Sequence, residues 1–232
     1  ICELDFSHNK AKQGGKLMFD AIAEVAEVPS GSLKLISVAD AGIKSKELGS
    51  FLMQLASKVV KEKAPVQLQL EHNKLGSKAE FAQHLRSAHV HTLDLSSCGL
   101  EAGGVKTVAE GLMNNGTLRT LRLCGNVAHS LLGGSKKVDA AASAIAALLR
   151  PDSGVRLKTL DVAGSEDFRF KLALVRIAEA LKENDSLQEI VLTGNQAGPG
   201  LAIALNAVLR VNSTLRSLKW DNNQISLSSY RE

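Results

Sequence analysis

Leu118-Arg-Thr-Leu-Arg-Leu-Cys-Gly-Asn-Val-Ala128 and Leu187-Gln-Glu-Ile-Val-Leu-Thr-Gly-Asn-Gln-Ala197 share one spelling. Each has apolar residues at places one, four, six and eleven, and Asn at place nine. Places four and six are two apart, so on a strand both side chains point to the same side. Place nine turns the chain out of the strand, where an Asn side chain can satisfy backbone groups otherwise buried and unpaired.

Working outward, the same template is met eight times, starting at Ile1, Leu33, Pro65, Val90, Leu118, Leu157, Leu187 and Leu215. The starts are 32, 32, 25, 28, 39, 30 and 28 residues apart. Recurrence at such a period marks stacked supersecondary units. Ala41 and Ser165 replace the place-nine Asn, so the ladder is expected to weaken at the second and sixth copies. Cys98 also stands there, a replacement the consensus tolerates. Asp167 falls where the sixth copy needs an apolar residue.

The second half of each unit reads as a helix. Val108, Leu112 and Asn115 precede Leu118 at the offsets by which Ile177, Leu181 and Asn184 precede Leu187. Leu205, Leu209 and Asn212 stand in the same relation to Leu215. The i, i+4 apolar pair marks one helix face. Gly103-Gly104 and Gly198-Pro-Gly200 fall where helices begin and pack closely.

These long units resemble the ribonuclease-inhibitor class of leucine-rich repeats. The resemblance implies an α/β leucine-rich-repeat solenoid, a horseshoe with parallel strands on the concave face and helices on the convex face. Residues 1–232 are expected to form one domain of about eight repeats, a segment of a longer solenoid. The extra length of the fifth unit, Val127–Val138, reads as a basic loop around Leu132–Lys137.

Composition agrees with this class. Of 232 residues, 44% are apolar, enough for a sizeable core, and 22% are charged. Aromatics are 3%, so the core is expected to be Leu, Ala, Val and Ile, with Trp220 at a core place of the eighth strand. No run approaches the roughly 18 apolar residues of a membrane-spanning helix, and no leader is visible at Ile1-Cys-Glu-Leu4. Three widely spaced cysteines suit a reducing cytosol better than a disulfide framework. Cys124 is expected to face the concave surface as a free thiol.

No catalytic constellation is legible. His89-Val-His91 has no third ligand nearby, and His8 and His72 share a template place on the surface. Gly133-Gly-Ser-Lys-Lys137 lacks the spacing of a phosphate loop. Asn115-Gly-Thr117, Asn184-Asp-Ser186 and Asn212-Ser-Thr214 are glycosylation sequons by spelling, but one repeat position accounts for all three. The chain is expected to be no enzyme, to need no cofactor and to fold without metal.

The informative surface is the concave one, read from template places three, five, seven and eight. Its charged residues are Glu3, Asp5, Asp40, Glu71, Asp94, Arg122, Asp161, Glu189, Lys219 and Asp221. Eight acids against two bases leave −6; the chain's +4 then puts +10 on everything else. An acidic face repels phosphate backbones, so no nucleic acid is expected there. A basic protein segment suits it, because complementary charge speeds encounter. The basic remainder suits an anionic membrane, with membrane association expected through other domains. Asp94 and Asp161 are expected to project into solvent.

Leu215-Arg-Ser-Leu-Lys-Trp-Asp-Asn-Asn-Gln-Ile225 resembles the Trp-Asp strand late in the solenoid of CARMIL proteins. The irregular repeat lengths and the opening Leu4-Asp-Phe-Ser-His-Asn9 also resemble that family. What the resemblance implies is a non-enzymatic, cytoplasmic scaffold near the cell cortex, linking capping protein, actin nucleators and myosin I. Ran GTPase-activating proteins and the sensor repeats of innate-immune receptors remain as alternatives.

Overall fold

The computed structural model describes residues 1–10, 15–27, 33–58, 64–127 and 134–223. Eight short parallel strands form one open sheet: β1 (Glu3–Asp5), β2 (Leu35–Ser37), β3 (Val66–Gln69), β4 (Val90–Asp94), β5 (Thr120–Arg122), β6 (Thr159–Asp161), β7 (Glu189–Val191) and β8 (Ser217–Lys219). Their order in the sheet is their order in the chain. Equivalent template places pair throughout, as in Leu93↔Leu121 and Leu121↔Leu160. The register shifts only at Val66/Gln67, opposite His91.

Helices α1 (Gly15–Glu27), α2 (Ser45–Lys58), α3 (Glu101–Leu112), α4 (Gly134–Leu148), α5 (Leu174–Ala180) and α6 (Pro199–Leu209) return the chain between strands. The third unit, the shortest, uses a 3-10 helix, Glu80–Ser87, instead. Each helix packs on the next in sequence. Gly111 of α3 lies so close to the Ala82 carbonyl that no Cβ fits between them.

The core lies between sheet and helices. Places four and six supply Ile36, Val38, Leu68, Leu70, Leu93, Leu95, Leu121, Leu123, Leu160, Val162, Ile190 and Leu192, all buried. Each such side chain contributes about 2 kcal/mol by leaving water. Phe19 and Phe51 stack with centroids 4.3 Å apart, joining α1 to α2, and Phe81 is also fully buried. Among the described residues the buried aromatics are these three and Phe170 of the sixth unit; apart from them and Cys98 the core is Leu, Ala, Val and Ile, as expected. Trp220 is partly buried against the core. Leu209 departs from its equivalents Leu112 and Leu181: it is 59% exposed, whereas they are buried. Helices α4 and α6 pack on α3 and α5, which end at Leu112 and just before Leu181, whereas among the described residues no helix follows α6.

The basic loop expected over Val127–Val138 is corrected in part. Residues 134–138 are the first turn of α4, with Lys136 and Lys137 exposed on it. Leu132 and Gly133 lie outside the described residues, as do Ala128 and Ile225.

Four place-nine Asn residues, Asn73, Asn126, Asn195 and Asn223, tie their units to the preceding ones, and Ala41 breaks the series because it has no side-chain amide. Asn126 Oδ1 accepts the Cys98 and Leu100 N–H groups, and its Nδ2 donates to the Leu95 and Leu123 carbonyls. Asn73, Asn195 and Asn223 make the corresponding bonds. At Cys98 the thiol donates to the Leu70 carbonyl at 3.2 Å, and the Cys98 carbonyl accepts the Leu75 N–H. At the sixth copy the turn is longer: Ser165 N–H bonds the Phe168 carbonyl. Buried Phe170 then gives its N–H to Asn195 and takes the place Asp167 was assigned; Asp167 is exposed.

A second ladder runs along the helix ends. Asn115 Nδ2 donates to the Leu85 and Ala88 carbonyls, Asn184 Nδ2 to Leu149, and Asn212 Nδ2 to Leu181 and Asn184. Each Oδ1 accepts the N–H groups two and three residues on. The amide nitrogens a glycan would need are therefore engaged within the fold.

Candidate functional site

Because places four and six point into the core, places three, five and seven present the opposite face of the sheet. Pairing aligns place five into one row across all eight strands: Asp5, Ser37, Gln69, Asp94, Arg122, Asp161, Val191 and Lys219. Place eight is a left-handed turn residue in seven of the eight copies: His8, Asp40, His72, Ser97, Gly125, Gly194 and Asn222. The signal was present in the letters, since Asn, Asp, His and Gly tolerate that conformation better than most residues.

Exposure along the row is uneven. Glu3 and Asp5 at one end, and Lys219 and Asp221 at the other, are exposed. Asp40, Glu71, Arg122, Asp161 and Glu189 are half-buried. Asp94 is 7% exposed, so the expectation that it projects into solvent is corrected. Its carboxylate meets Arg122 at 3.4 Å across neighbouring strands and accepts the Ser96 N–H at 3.0 Å. Asp161, on the other side of Arg122, accepts the Ala163 N–H in the same way, and Asp5 the Ser7 N–H. Three of the acids thus hold their own turns while contributing charge.

Both bases of the face are engaged: Arg122 with Asp94, and Lys219 with Glu189 at 2.8 Å. Exposed His8 lies 3.4 Å from half-buried Asp40. Among the described residues, the acids left without a Lys or Arg partner are spread along the face, from Glu3 and Asp5 through Glu71 and Asp161 to Asp221. Burial, reinforced by the Asp94 charge, raises the pKa of Asp161 despite the opposing Ala163 N–H and Arg122. Burial, with Asp94 adding to it, likewise raises that of Glu71, whose Oε2 is buried without a hydrogen-bond partner. Burial also raises the half-buried Cys124 thiol, which faces the same carboxylates. At the exposed end Asp5 is lowered instead, by its bonds to Ser7.

No metal cluster emerges. Among the described residues no group of three or more His, Cys, Asp or Glu could hold an ion. His91 Nδ1 pairs with the Thr92 hydroxyl at 3.1 Å. Along the place-five row the carboxylates are Asp5, Asp94 and Asp161, with Arg122 between the last two and Lys219 at the end.

No protein-family model matches the chain. It is 29% identical over 199 residues to the protein CARMIL of Dictyostelium discoideum, which covers 84% of this chain and 18% of that protein. It is 31% identical over 142 residues to the Rho GTPase-activating protein gacW of the same organism, 60% of this chain and 12% of that one. It is 29% identical over 167 residues to the capping protein, Arp2/3 and myosin-I linker protein 3 of Rattus norvegicus, 62% of this chain and 12% of that protein. The chain thus spans less than a fifth of the length of these relatives. Over most of its own length it is similar to CARMIL.

Proposed function

We propose that this chain is the protein-binding repeat segment of a CARMIL-type regulator of actin assembly. The observation that carries the reading is the similarity to CARMIL over 84% of the chain. Residues 1–232 act as one leucine-rich-repeat solenoid, a horseshoe with the strands on its concave side. Eight parallel strands in chain order support that architecture. The segment works as a non-enzymatic scaffold in the cytoplasm at the cell cortex, beside capping protein, actin nucleators and myosin I. Among the described residues no helix is long and apolar enough to cross a membrane.

The partner is a basic protein segment lying across Glu3, Asp5, Asp40, Glu71, Asp94, Asp161, Glu189 and Asp221, with Arg122 and Lys219 setting register. Charge of this kind acts mainly on encounter rate and is screened over about 8 Å at physiological salt. The test is association rate against salt with capping protein, actin nucleators and myosin I. The variant combines Glu3→Lys, Asp40→Asn and Asp221→Lys, none of which accepts a turn N–H. Slower association with a shallower salt slope supports the reading; equal rates and slopes remove the face from it.

A second reading, a GTPase activator, is favoured by the similarity to gacW over 60% of the chain. Single-turnover GTP hydrolysis by Rho-type and Ran-type GTPases separates the two. Acceleration by this chain would replace the scaffold reading; an unchanged rate keeps it.

A further inference from the structure

On the edge of the fold where strands pass into helices, a cavity of about 330 Å³ opens between the second and third units. Lys44 and Lys46, at the start of α2, line one side. Lys74 and Lys78, flanking the Gly76-Ser77 turn, line the other. All four lysines are exposed, and none has a carboxylate at ion-pair distance among the described residues. The one acidic lining residue is Glu80. Glu47, nearby, is turned to its own backbone, accepting the Lys44 N–H at 2.9 Å.

The cavity is held in shape. Ser45 Oγ accepts the Phe81 N–H and ties the start of α2 to the 3-10 helix. The Leu75 N–H bonds both the Asn73 and Cys98 carbonyls. Helix α3 presses on the turn from behind: a Cβ at Gly104 would stand 3.2 Å from the Ser77 carbonyl and 3.3 Å from that of Gly76. A turn braced in this way has less freedom to lose on binding.

We propose that this cavity binds a compact ligand carrying two or more phosphate groups. Lysine is a point-charge phosphate binder. Four unpaired ammoniums around so small a space call for several negative charges close together, which phosphates supply at roughly −1.5 to −2 each. An extended nucleic acid fits less well, because most of its phosphates would lie beyond the four lysines of this short lining. The inference is separate from the concave-face reading, and neither depends on the other.

Two probes distinguish the source of the phosphates: soluble inositol hexakisphosphate, by calorimetry, and phosphatidylcholine vesicles containing phosphatidylinositol bisphosphate, by co-sedimentation. Binding of either probe supports the proposal, and the tighter one names the source. Lys44→Gln with Lys74→Gln is expected to weaken binding by about 25-fold, about fivefold per lysine. Lys46→Gln with Lys78→Gln should do the same, and Glu80→Gln should tighten it. Lys136→Gln with Lys137→Gln, remote on α4, should leave it unchanged. The proposal is overturned if neither probe binds, or if the α4 variant loses as much as the cavity variants. It is equally overturned if charge-matched phosphatidylserine vesicles or a DNA duplex bind as tightly.

Discussion

The first unit and the central units spell the same template with the same residue types, and the fold treats them differently. Asn9 and Asn126 both stand at place nine. Asn9 is exposed and bonds only its own turn, at the Phe6 and Ser7 carbonyls. Asn126 is 1% exposed; three bonds, to Cys98, Leu100 and Leu95, tie it to the preceding unit and a fourth holds its own turn. Asp5 and Asp94 both stand at place five, and each accepts the N–H two residues on. Only Asp94 is buried and paired with an arginine. Template place therefore decides which local bonds a side chain makes, while its neighbours decide what those bonds are worth.

The largest test of that contrast is the ladder. Asn126→Ala leaves buried amide and carbonyl groups unpaired, and should lower stability by about 3 kcal/mol. Asn9→Ala should change it by about 0.5 kcal/mol or less, since water replaces the lost partners. Denaturant midpoints of the two variants check this, and equal losses would break the comparison.

Next comes place five. Asp94→Lys sets a second cation against Arg122 in a nearly dry position and strips the Ser96 N–H of its acceptor. A loss of about 2 kcal/mol is expected. Asp5→Lys, at the exposed edge, should lose clearly less than Asp94→Lys. A thermal-melt series reads both.

A smaller effect appears in pH dependence, with opposite signs at centre and edge. Asp161 is raised, so its ionised form costs stability at neutral pH, and that cost fades as pH falls toward the ordinary aspartate value of about 3.9. Asp161→Asn should therefore be the more stable protein at neutral pH, with an advantage that shrinks on acidification. Asp5 is lowered, so its contribution is present above the ordinary value and lost as pH falls below it. Asp5→Asn should show a deficit at neutral pH that vanishes in acid. Urea midpoints across pH sharpen the comparison, and parallel profiles for the two variants would contradict it.

The smallest expected effect concerns thiols and leaves stability untouched. Cys2 is exposed, Cys124 half-buried, and Cys98 buried with its pKa pushed up to about 12 by desolvation. A disulfide reagent should label Cys2 first, Cys124 slowly, and Cys98 only on unfolding. Early labelling of Cys98 would show that the centre opens as readily as the edge.

The letters alone determined the units, the strand places and the core. Residues two apart must share a face, and a place-nine Asn must bond its turn, wherever the unit stands. Pairing of like with like across eight strands follows from that repetition. Acidity of the exposed face was also legible, because counting charges needs no coordinates.

Other features needed the fold. That Asp94 lies buried depends on Arg122 reaching it from the next strand, a matter of packing between units. Phe170 standing in for Asp167 depends on Asn195, which lies 25 residues further along the chain. The start of α4 was hidden because Gly133-Gly-Ser-Lys-Lys137 has the composition of a loop, while residues 134–138 form helix. The lysine cavity was invisible because Lys44 and Lys74 are thirty residues apart and ordinary singly. Local stereochemistry repeats with the sequence. Burial, ion pairing and cavities are set by the neighbour above and below, and only tertiary structure supplies that neighbour.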